Sequence, residues 1–246
     1  IGEWAFYKCS SLTSVYITDI AAWCKIDFVA SLSNPLGYAK NLYLNGELVT
    51  ELVIPDGVTR IGNSAFESCI ALRQITIPDS VSEIGSAAFY GCTELQSVTI
   101  PDKVTVIAFS AFNGCSELKS VVFNSGLKTV GVQAFNNCGQ LQSISLPDSV
   151  ERIGVAAFYD CKALKRIDMT DKVGEVGASA FHGTPWCEAI TGDFVISENG
   201  ILLAYRGQDA DVTIPDGVRI IADIHIPSNE LQVPSLANFS PDILMM

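Results

Sequence analysis

The stretch from Leu95 to Glu117 reads LQSVTIPDKVTVIAFSAFNGCSE, and it decides the fold because its pattern recurs every 23 residues. Ala-Phe pairs mark this period most clearly, at 65–66, 88–89, 111–112, 134–135, 157–158 and 180–181. A fixed repeat of roughly 20 to 50 residues is typical of a solenoid, in which one short unit stacks on its own copies. We therefore expect function on an extended surface and not in a central pocket.

Each unit predicts two short extended segments joined by a turn. Val98 to Ile100 alternates as a half-buried strand does, and Pro101 ends it because proline cannot donate to a sheet ladder. A second segment, Val104 to Ile107, leads to a position that is glycine in the neighbouring units and Ala108 here. We expect a backbone bend at this position that admits no side chain.

The Ala-Phe positions predict a continuous apolar core. Phe112 should be fully buried and touch Phe89 and Phe135, because parallel pairing from coil to coil places equivalent residues about 4.8 Å apart. Fixing the conformation of one residue costs roughly 1.5 kcal/mol of conformational entropy, and the apolar area that a single unit can bury does not offset this cost. Stability is therefore expected to come mostly from stacking between neighbouring units.

Two insertions interrupt the period, at about 18–50 and 185–211. Each contains a Trp-Cys pair followed by an Asn-Gly pair within apolar sequence, at 23–24 and 45–46 and again at 186–187 and 199–200. Asn-Gly between apolar residues predicts a β-hairpin. We predict one solenoid domain over residues 1–221 and a divergent, irregular C-terminal tail over 222–246.

The charge balance excludes two classes of partner. The chain carries 15 basic and 27 acidic residues, a formal net charge of -12. This balance argues against binding to nucleic acid or to an anionic membrane surface. No apolar run approaches the roughly 20 residues that span a bilayer, so we predict no membrane insertion by this chain.

The repeat and its insertions together resemble the BspA-like branch of bacterial leucine-rich repeats. The shared features are the 23-residue unit with Ile-Pro-Asp-x-Val, Ile-Gly-x-x-Ala-Phe and a following Cys, and the insertions with Trp-Cys and Asn-Gly. The resemblance covers residues 1 to about 221 and implies a leucine-rich-repeat solenoid of short parallel β-strands. It also implies a secreted or surface-anchored bacterial protein, since several members act as adhesins towards host matrix proteins or other cells. A repeat scaffold does not fix its ligand, so the implied partner is a protein or glycan of unknown identity.

Two in-phase columns of polar side chains have structural explanations. Stacked cysteines would hold their Cβ atoms about 4.8 Å apart, which disfavours disulfides, and a straight column cannot surround a zinc ion. We expect buried free thiols that act as small apolar spacers. One carboxylate per coil is too few for calcium, so the aspartates are expected to form turns. The columns are Cys69, Cys92, Cys115, Cys138 and Cys161, and Asp56, Asp79, Asp102, Asp148, Asp171 and Asp216.

Catalysis has little support in the sequence. The two histidines, His182 and His225, have no neighbouring nucleophile motif, and Gly-rich phosphate loops are absent. We therefore predict a protein that is not an enzyme and has no cofactor and no metal site.

Two surface features are candidates for partner binding. The outward residues of the first strand form a face of small hydroxyl groups that becomes charged at one end, and a solvated strand face is the alternative for each of them. The position after the glycine is apolar in four consecutive units. We expect these side chains to be buried as an addition to the core, because the adjacent glycines permit close packing. If they are exposed instead, they would form an apolar stripe that could bind a partner. The two sets are Val122, Ser143, Ser145, Arg166 and Asp168, and Phe109, Val132, Val155 and Ala178.

The function that the sequence favours is a non-catalytic, extracellular bacterial recognition or adhesion module. An alternative is a structural spacer that presents another domain of a longer surface protein. An enzyme that uses chemistry in one of the insertions is a third class, retained because only the insertions contain non-repeating chemistry. The first-strand face near Arg166 and Asp168 is the predicted binding site, since variable side chains on a constant scaffold can carry specificity.

Overall fold

The computed structural model describes residues 1–29, 33–209, 211–222 and 231–232. Its regular part is a stack of coils, each with a three-residue first strand and a two-residue second strand. The first strands are β4 (Glu51–Val53), β6 (Gln74–Thr76), β8 (Ser97–Thr99), β10 (Ser120–Val122), β12 (Ser143–Ser145) and β14 (Arg166–Asp168). The second strands are β5 (Arg60–Ile61), β7 (Glu83–Ile84), β9 (Val106–Ile107), β11 (Thr129–Val130), β13 (Arg152–Ile153) and β15 (Glu175–Val176).

Equivalent strands pair in parallel, which confirms the predicted leucine-rich-repeat solenoid. Ser97 lies beside Ser120 and Ser143 beside Arg166, each pair one repeat apart. The first strands form the sheets β4-β6-β8-β10 and β12-β14, and the second strands form β5-β7 and β9-β11-β13-β15. The expected pairing is therefore interrupted twice in the described chain, between β10 and β12 and between β7 and β9.

The phenylalanine column forms the predicted core. Phe112 is fully buried and its ring stacks on Phe89 and Phe135, with centroids 5.2 and 5.3 Å apart. The backbone beside the column is also hydrogen-bonded between coils: the N–H of Phe112 donates to the carbonyl of Ala134 at 2.9 Å. Ser110, just before the Ala-Phe pair, has a φ of 52°, so a non-glycine residue adopts the left-handed conformation in this turn. The same conformation recurs at Ser64, Ala87, Gln133, Ala156 and Ser179.

The recurring glycine admits no side chain, as expected, although the reason differs from the predicted bend. A Cβ on Gly154 would lie 2.5 Å from the backbone nitrogen of Val132 in the preceding coil, and one on Gly85 would lie 2.7 Å from that of Asn63. Neither glycine has a left-handed φ. The glycine is needed because the backbones of neighbouring coils touch at this point.

The first insertion supplies a cap for the first regular coil. It lies between β1 (Val15–Ile17) and the regular strands, and contains α1 (Ile20–Cys24), α2 (Leu36–Ala39), β2 (Leu42–Leu44) and β3 (Glu47–Leu48). Nε1 of Trp23 donates to the carbonyl of Ala65 at 2.8 Å, and the N–H of Gly62 donates to the carbonyl of Cys24 at 2.7 Å. The predicted hairpin is confirmed: β2 and β3 are antiparallel, and Asn45 and Gly46 both have positive φ.

The second insertion also begins with a short helix and continues into a hairpin. It contains α3 (Pro185–Glu188), β16 (Phe194–Ile196) and β17 (Ile201–Tyr205), and is followed by β18 (Val212–Thr213) and β19 (Ile220–Ile221). Trp186 packs edge-on against Phe181 at 5.2 Å, which covers that end of the phenylalanine column. The hairpin is confirmed, and β17 also pairs in parallel with β19.

Little of the predicted C-terminal tail is described. β20 (Leu231–Gln232) pairs in parallel with β18, one of the strands that follow the second insertion. The remainder of 222–246 after Ala222, including His225, lies outside the described residues. None of the helices in the described part of the chain is long and apolar enough to cross a bilayer.

Candidate functional site

The outward side chains of the first strands form one exposed surface, which we call the first-strand face. Alternation along each strand buries the middle residue, such as Val98 or Ile144, and exposes the residues on either side. The face therefore presents two rows, one residue per coil. They are Glu51, Gln74, Ser97, Ser120, Ser143 and Arg166, and Val53, Thr76, Thr99, Val122, Ser145 and Asp168.

Four of the five predicted binding residues lie together on β12 and β14. Ser143 is the register partner of Arg166, and Ser145 that of Asp168. Nε of Arg166 lies 3.1 Å from Oδ1 of Asp168, so the two charges form an exposed ion pair. Val122 is 58% exposed but lies on β10, across the interruption in the sheet. The predicted site thus consists of a small polar and charged patch on β12 and β14, with the apolar Val122 on the adjacent sheet.

A basic row along the edge of this face was missed in the sequence analysis. From β6 to β14, the residue directly before each first strand is exposed, and basic residues alternate with glutamine from coil to coil. The N–H of Lys119 donates to the carbonyl of Gln96 at 2.8 Å, which fixes the row in register. Reading each sequence position down the repeats would have found the row, which is Arg73, Gln96, Lys119, Gln142 and Lys165. The edge is therefore locally basic in a chain whose net charge is -12.

The second strands use their charges differently. Nζ of Lys128 lies 2.7 Å from Oε1 of Glu151. The guanidinium group of Arg60 pairs with two carboxylates, Oδ2 of Asp27 at 2.8 Å and Oε1 of Glu83 at 3.2 Å. The hydrogen bond from Arg60 holds the pKa of the Asp27 carboxyl below its usual value. Arg152 makes a similar pair with a carboxylate one coil away. These cations are largely occupied by neighbouring coils, which makes the second-strand row a structural ladder.

The apolar stripe after the recurring glycine is exposed, so our expectation of extra core was wrong. Phe109, Val132 and Val155 are 53%, 39% and 41% exposed, and Ala178 is half-buried. The preceding glycine fits against the neighbouring coil, but the next residue points outward. The stripe remains a second candidate for partner contact.

The cysteine column is buried and free of disulfides within the described residues, but its thiols do more than fill space. Sγ of Cys115 donates to the carbonyl of Phe89 at 3.2 Å, and Sγ of Cys138 donates to that of Phe112 at 3.3 Å. Each thiol thus links its coil to the preceding one. Burial raises the pKa of Cys115 and Cys138 well above the usual thiol value.

The remaining sequence candidates for chemistry have simple surroundings. His182 stacks on Tyr159 with ring centroids 5.2 Å apart. In the part of the chain that the structure describes, no group of three or more His, Cys, Asp or Glu side chains is placed to hold a metal ion.

Comparison with known proteins agrees with the repeat architecture. The model of the BspA type leucine-rich repeat region matches residues 39–165 and 88–199, with 6 copies of the repeat. A leucine-rich repeat protein from Bacteroides ovatus is similar at 25% identity and a TM-score of 0.55, over 75% of this chain and 59% of that protein. The T. pallidum leucine-rich repeat protein is similar at 29% identity and a TM-score of 0.53, over 70% of this chain and 71% of that one. No curated protein gives a significant match.

The family match extends from α2 to the hairpin of the second insertion and includes all the regular coils from β4 to β15. It therefore covers well over half of the chain, and the repeat that it detects is the one whose strands, phenylalanines and cysteines stack in the structure. The chain belongs to the BspA-type leucine-rich repeat family.

Proposed function

We propose that this chain is a non-catalytic recognition module, secreted or displayed at a bacterial cell surface, that binds a protein or glycan through its first-strand face. The observation that carries the proposal is the contrast between the two sides of each first strand. The inward positions keep the same apolar character in every coil, whereas the outward ones change from Ser97 and Thr99 to Arg166 and Asp168. A constant scaffold with a variable outer face suits recognition of a ligand.

The interior and the edge of the coils both favour binding on this face. Stacked side chains such as Phe112 and Leu118 fill the core, so a partner must meet an outer surface. Lys119 and Lys165 at the edge make no ion pair within the described part of the chain, in contrast to the paired cations of the second strands. Unpaired cations are available to a ligand at little cost. The surface location is supported by the family resemblance.

A binding screen with two matched variants tests the proposal. The purified chain is screened against matrix proteins and a glycan array, and the double change Arg166→Ala and Asp168→Ala is compared with Lys128→Ala and Glu151→Ala. Each double variant removes one exposed ion pair and leaves the net charge unchanged. Because two exposed polar contacts contribute about 0.5–1.5 kcal/mol each, we expect about ten-fold weaker binding for the first variant and little change for the second.

The other outcomes have distinct meanings. The reverse ranking would move the site to the second-strand side of the molecule, where the stripe from Phe109 to Ala178 lies. Equal insensitivity of both variants would place the site on another surface of the coils, and the absence of any ligand in the screen would favour a structural spacer.

A further inference from the structure

The interruption between β7 and β9 leaves backbone groups without partners. In the coils around it, the N–H of the recurring glycine donates to the preceding coil, as Gly85 does to Ile61 at 2.9 Å and Gly131 to Ile107 at 2.9 Å. In the described residues the N–H of Ala108 makes no such bond to Ile84. A second bond is missing three residues earlier in the same coil. In the next coil the N–H of Lys128 donates to the carbonyl of Thr105 at 2.7 Å, but in the described residues the N–H of Thr105 does not donate to the carbonyl of Ser82.

The interruption coincides with the one coil in which alanine replaces the recurring glycine. At Gly85 an added Cβ would lie 2.7 Å from the neighbouring backbone, closer than real Cβ atoms come. Ala108 has such a Cβ, so its coil must move away from the preceding one. The methyl group of Ala108 therefore accounts for the missing bonds.

A groove opens at this place, with a volume of about 400 Å³. Its lining residues include Asn63, Ser82, Glu83, Ser86, Thr105 and Val106. The coils meet again on both sides: Gln74 pairs with Ser97 in the first-strand sheet, and the N–H of Ala87 donates to the carbonyl of Phe109 at 2.8 Å. The groove is therefore a bounded depression with free backbone donors and acceptors in its walls.

We propose that this groove binds a neutral sugar ring, as a second site separate from the first-strand face. The N–H groups of Thr105 and Ala108 and the carbonyls of Ser82 and Ile84 offer two donors and two acceptors, which must be satisfied by water or a ligand. The hydroxyls of a sugar can donate to the carbonyls and accept from the N–H groups.

The remaining walls select among polar ligands. The Glu83 carboxylate, whose side chain is 55% exposed, pairs with Arg60 through Oε1 at 3.2 Å, and its second oxygen can accept a hydrogen bond from a sugar hydroxyl. Arg60 is shared with Asp27, so these three groups together carry one excess negative charge, which disfavours an anionic sugar. Val106 is 47% exposed at the groove and offers an apolar surface to the C–H face of a sugar ring. A volume near 400 Å³ is within the roughly 300–1,000 Å³ of small-molecule sites and too small for a folded partner.

NMR titration of the full chain tests the proposal. The probes are the methyl glycosides of glucose, galactose, mannose and N-acetylglucosamine, with glucuronate as the anionic comparison and a short serine-rich peptide as the non-sugar comparison. We expect at least one neutral glycoside to shift the backbone amide signals of Thr105 and Ala108 in a saturable way. The absence of such a shift at millimolar concentration, or stronger binding of glucuronate or the peptide, would overturn the proposal.

Two variants and one matched control separate binding from stability. Ala108→Gly should restore the coil-to-coil bonds and close the groove, so we expect at least ten-fold weaker glycoside binding with an equal or higher Tm. Glu83→Gln should also weaken binding about ten-fold, because hydrogen bonds to a charged acceptor are the strong ones. Glu175→Gln is the control: Glu175 occupies the equivalent position and pairs with Arg152 as Glu83 does with Arg60.

The control variant should bind like the unmodified chain. Undiminished binding by Ala108→Gly, or equal losses in Glu83→Gln and Glu175→Gln, would show that the sugar does not sit in this groove. Because the site lies outside the first-strand face, either result leaves the proposed recognition function to be judged by its own screen.

Discussion

Replacing Phe112 by alanine tests whether stability comes from stacking between coils. Phe112 is fully buried and has a stacked ring on each side, at 5.2 and 5.3 Å. Phe66 is equally buried but stacks on only one phenylalanine in the described chain, Phe89 at 5.4 Å. The two residues therefore differ mainly in the number of aromatic neighbours.

The expected costs follow from this difference. Truncating a buried phenylalanine to alanine lowers the free energy of unfolding by ~3–5 kcal/mol. An aromatic pair contributes about 0.5–1.5 kcal/mol beyond the burial of its area. We expect Phe112→Ala at the upper end of the first range and Phe66→Ala about 1 kcal/mol below it.

Urea unfolding followed by circular dichroism measures both variants. The comparison is valid if the slope of the free energy against urea concentration is unchanged, since a changed slope would indicate loss of cooperativity. A loss below about 2 kcal/mol for Phe112→Ala would refute the argument that the column stabilises the solenoid. So would a Phe66→Ala variant that is as destabilised as Phe112→Ala.

Two further predictions concern the thiol column and the recurring glycine. Cys115 should resist thiol-labelling reagents in the folded chain, whereas the half-buried Cys9 should react. Burial raises the pKa of Cys115 above 9.0, so the contribution of this thiol to stability should be fully present below about pH 9 and lost as the pH rises further. The urea midpoint should therefore fall above pH 9, and it should fall less steeply in Cys115→Ala. Rapid native labelling of Cys115 would contradict this. Gly131→Ala should lower the free energy of unfolding by ~1–3 kcal/mol, because the added Cβ would collide with the carbonyl of Ile107. Gly139→Ala should change the free energy of unfolding little, because the nearest atom to its added Cβ is 3.8 Å away. Equal effects of the two variants would argue against coil-to-coil contact as the reason for the glycine.

The repeat period made the architecture predictable from the sequence. Ala-Phe pairs 23 residues apart imply that equivalent residues share one environment, so burial of Phe112 and pairing of Ser97 with Ser120 follow from the pattern alone. The Asn-Gly pairs likewise predicted both hairpins, because their backbone preferences are local. The five binding residues on the first-strand face remain a prediction.

Features that depend on how closely the backbones of neighbouring coils approach were not predictable in this way. Nothing local shows that the glycine faces the backbone of the preceding coil, that Cys115 donates to Phe89, or that the residue after the glycine points outward and exposes Phe109. Each depends on how closely two backbones approach, which the period does not specify.

The sequence by itself determined the solenoid, its register, its core columns and its hairpin insertions, because regular spacing and local turn chemistry are written into the order of residues. Only the tertiary structure decided which side chains are exposed between coils and where the ladder opens. The departure at Ala108 is visible in the sequence as one exception among glycines. The structure shows that Ala108 coincides with the interruption between β7 and β9 and with a polar groove. This consequence is not visible in the sequence, because it depends on the backbone of the preceding coil.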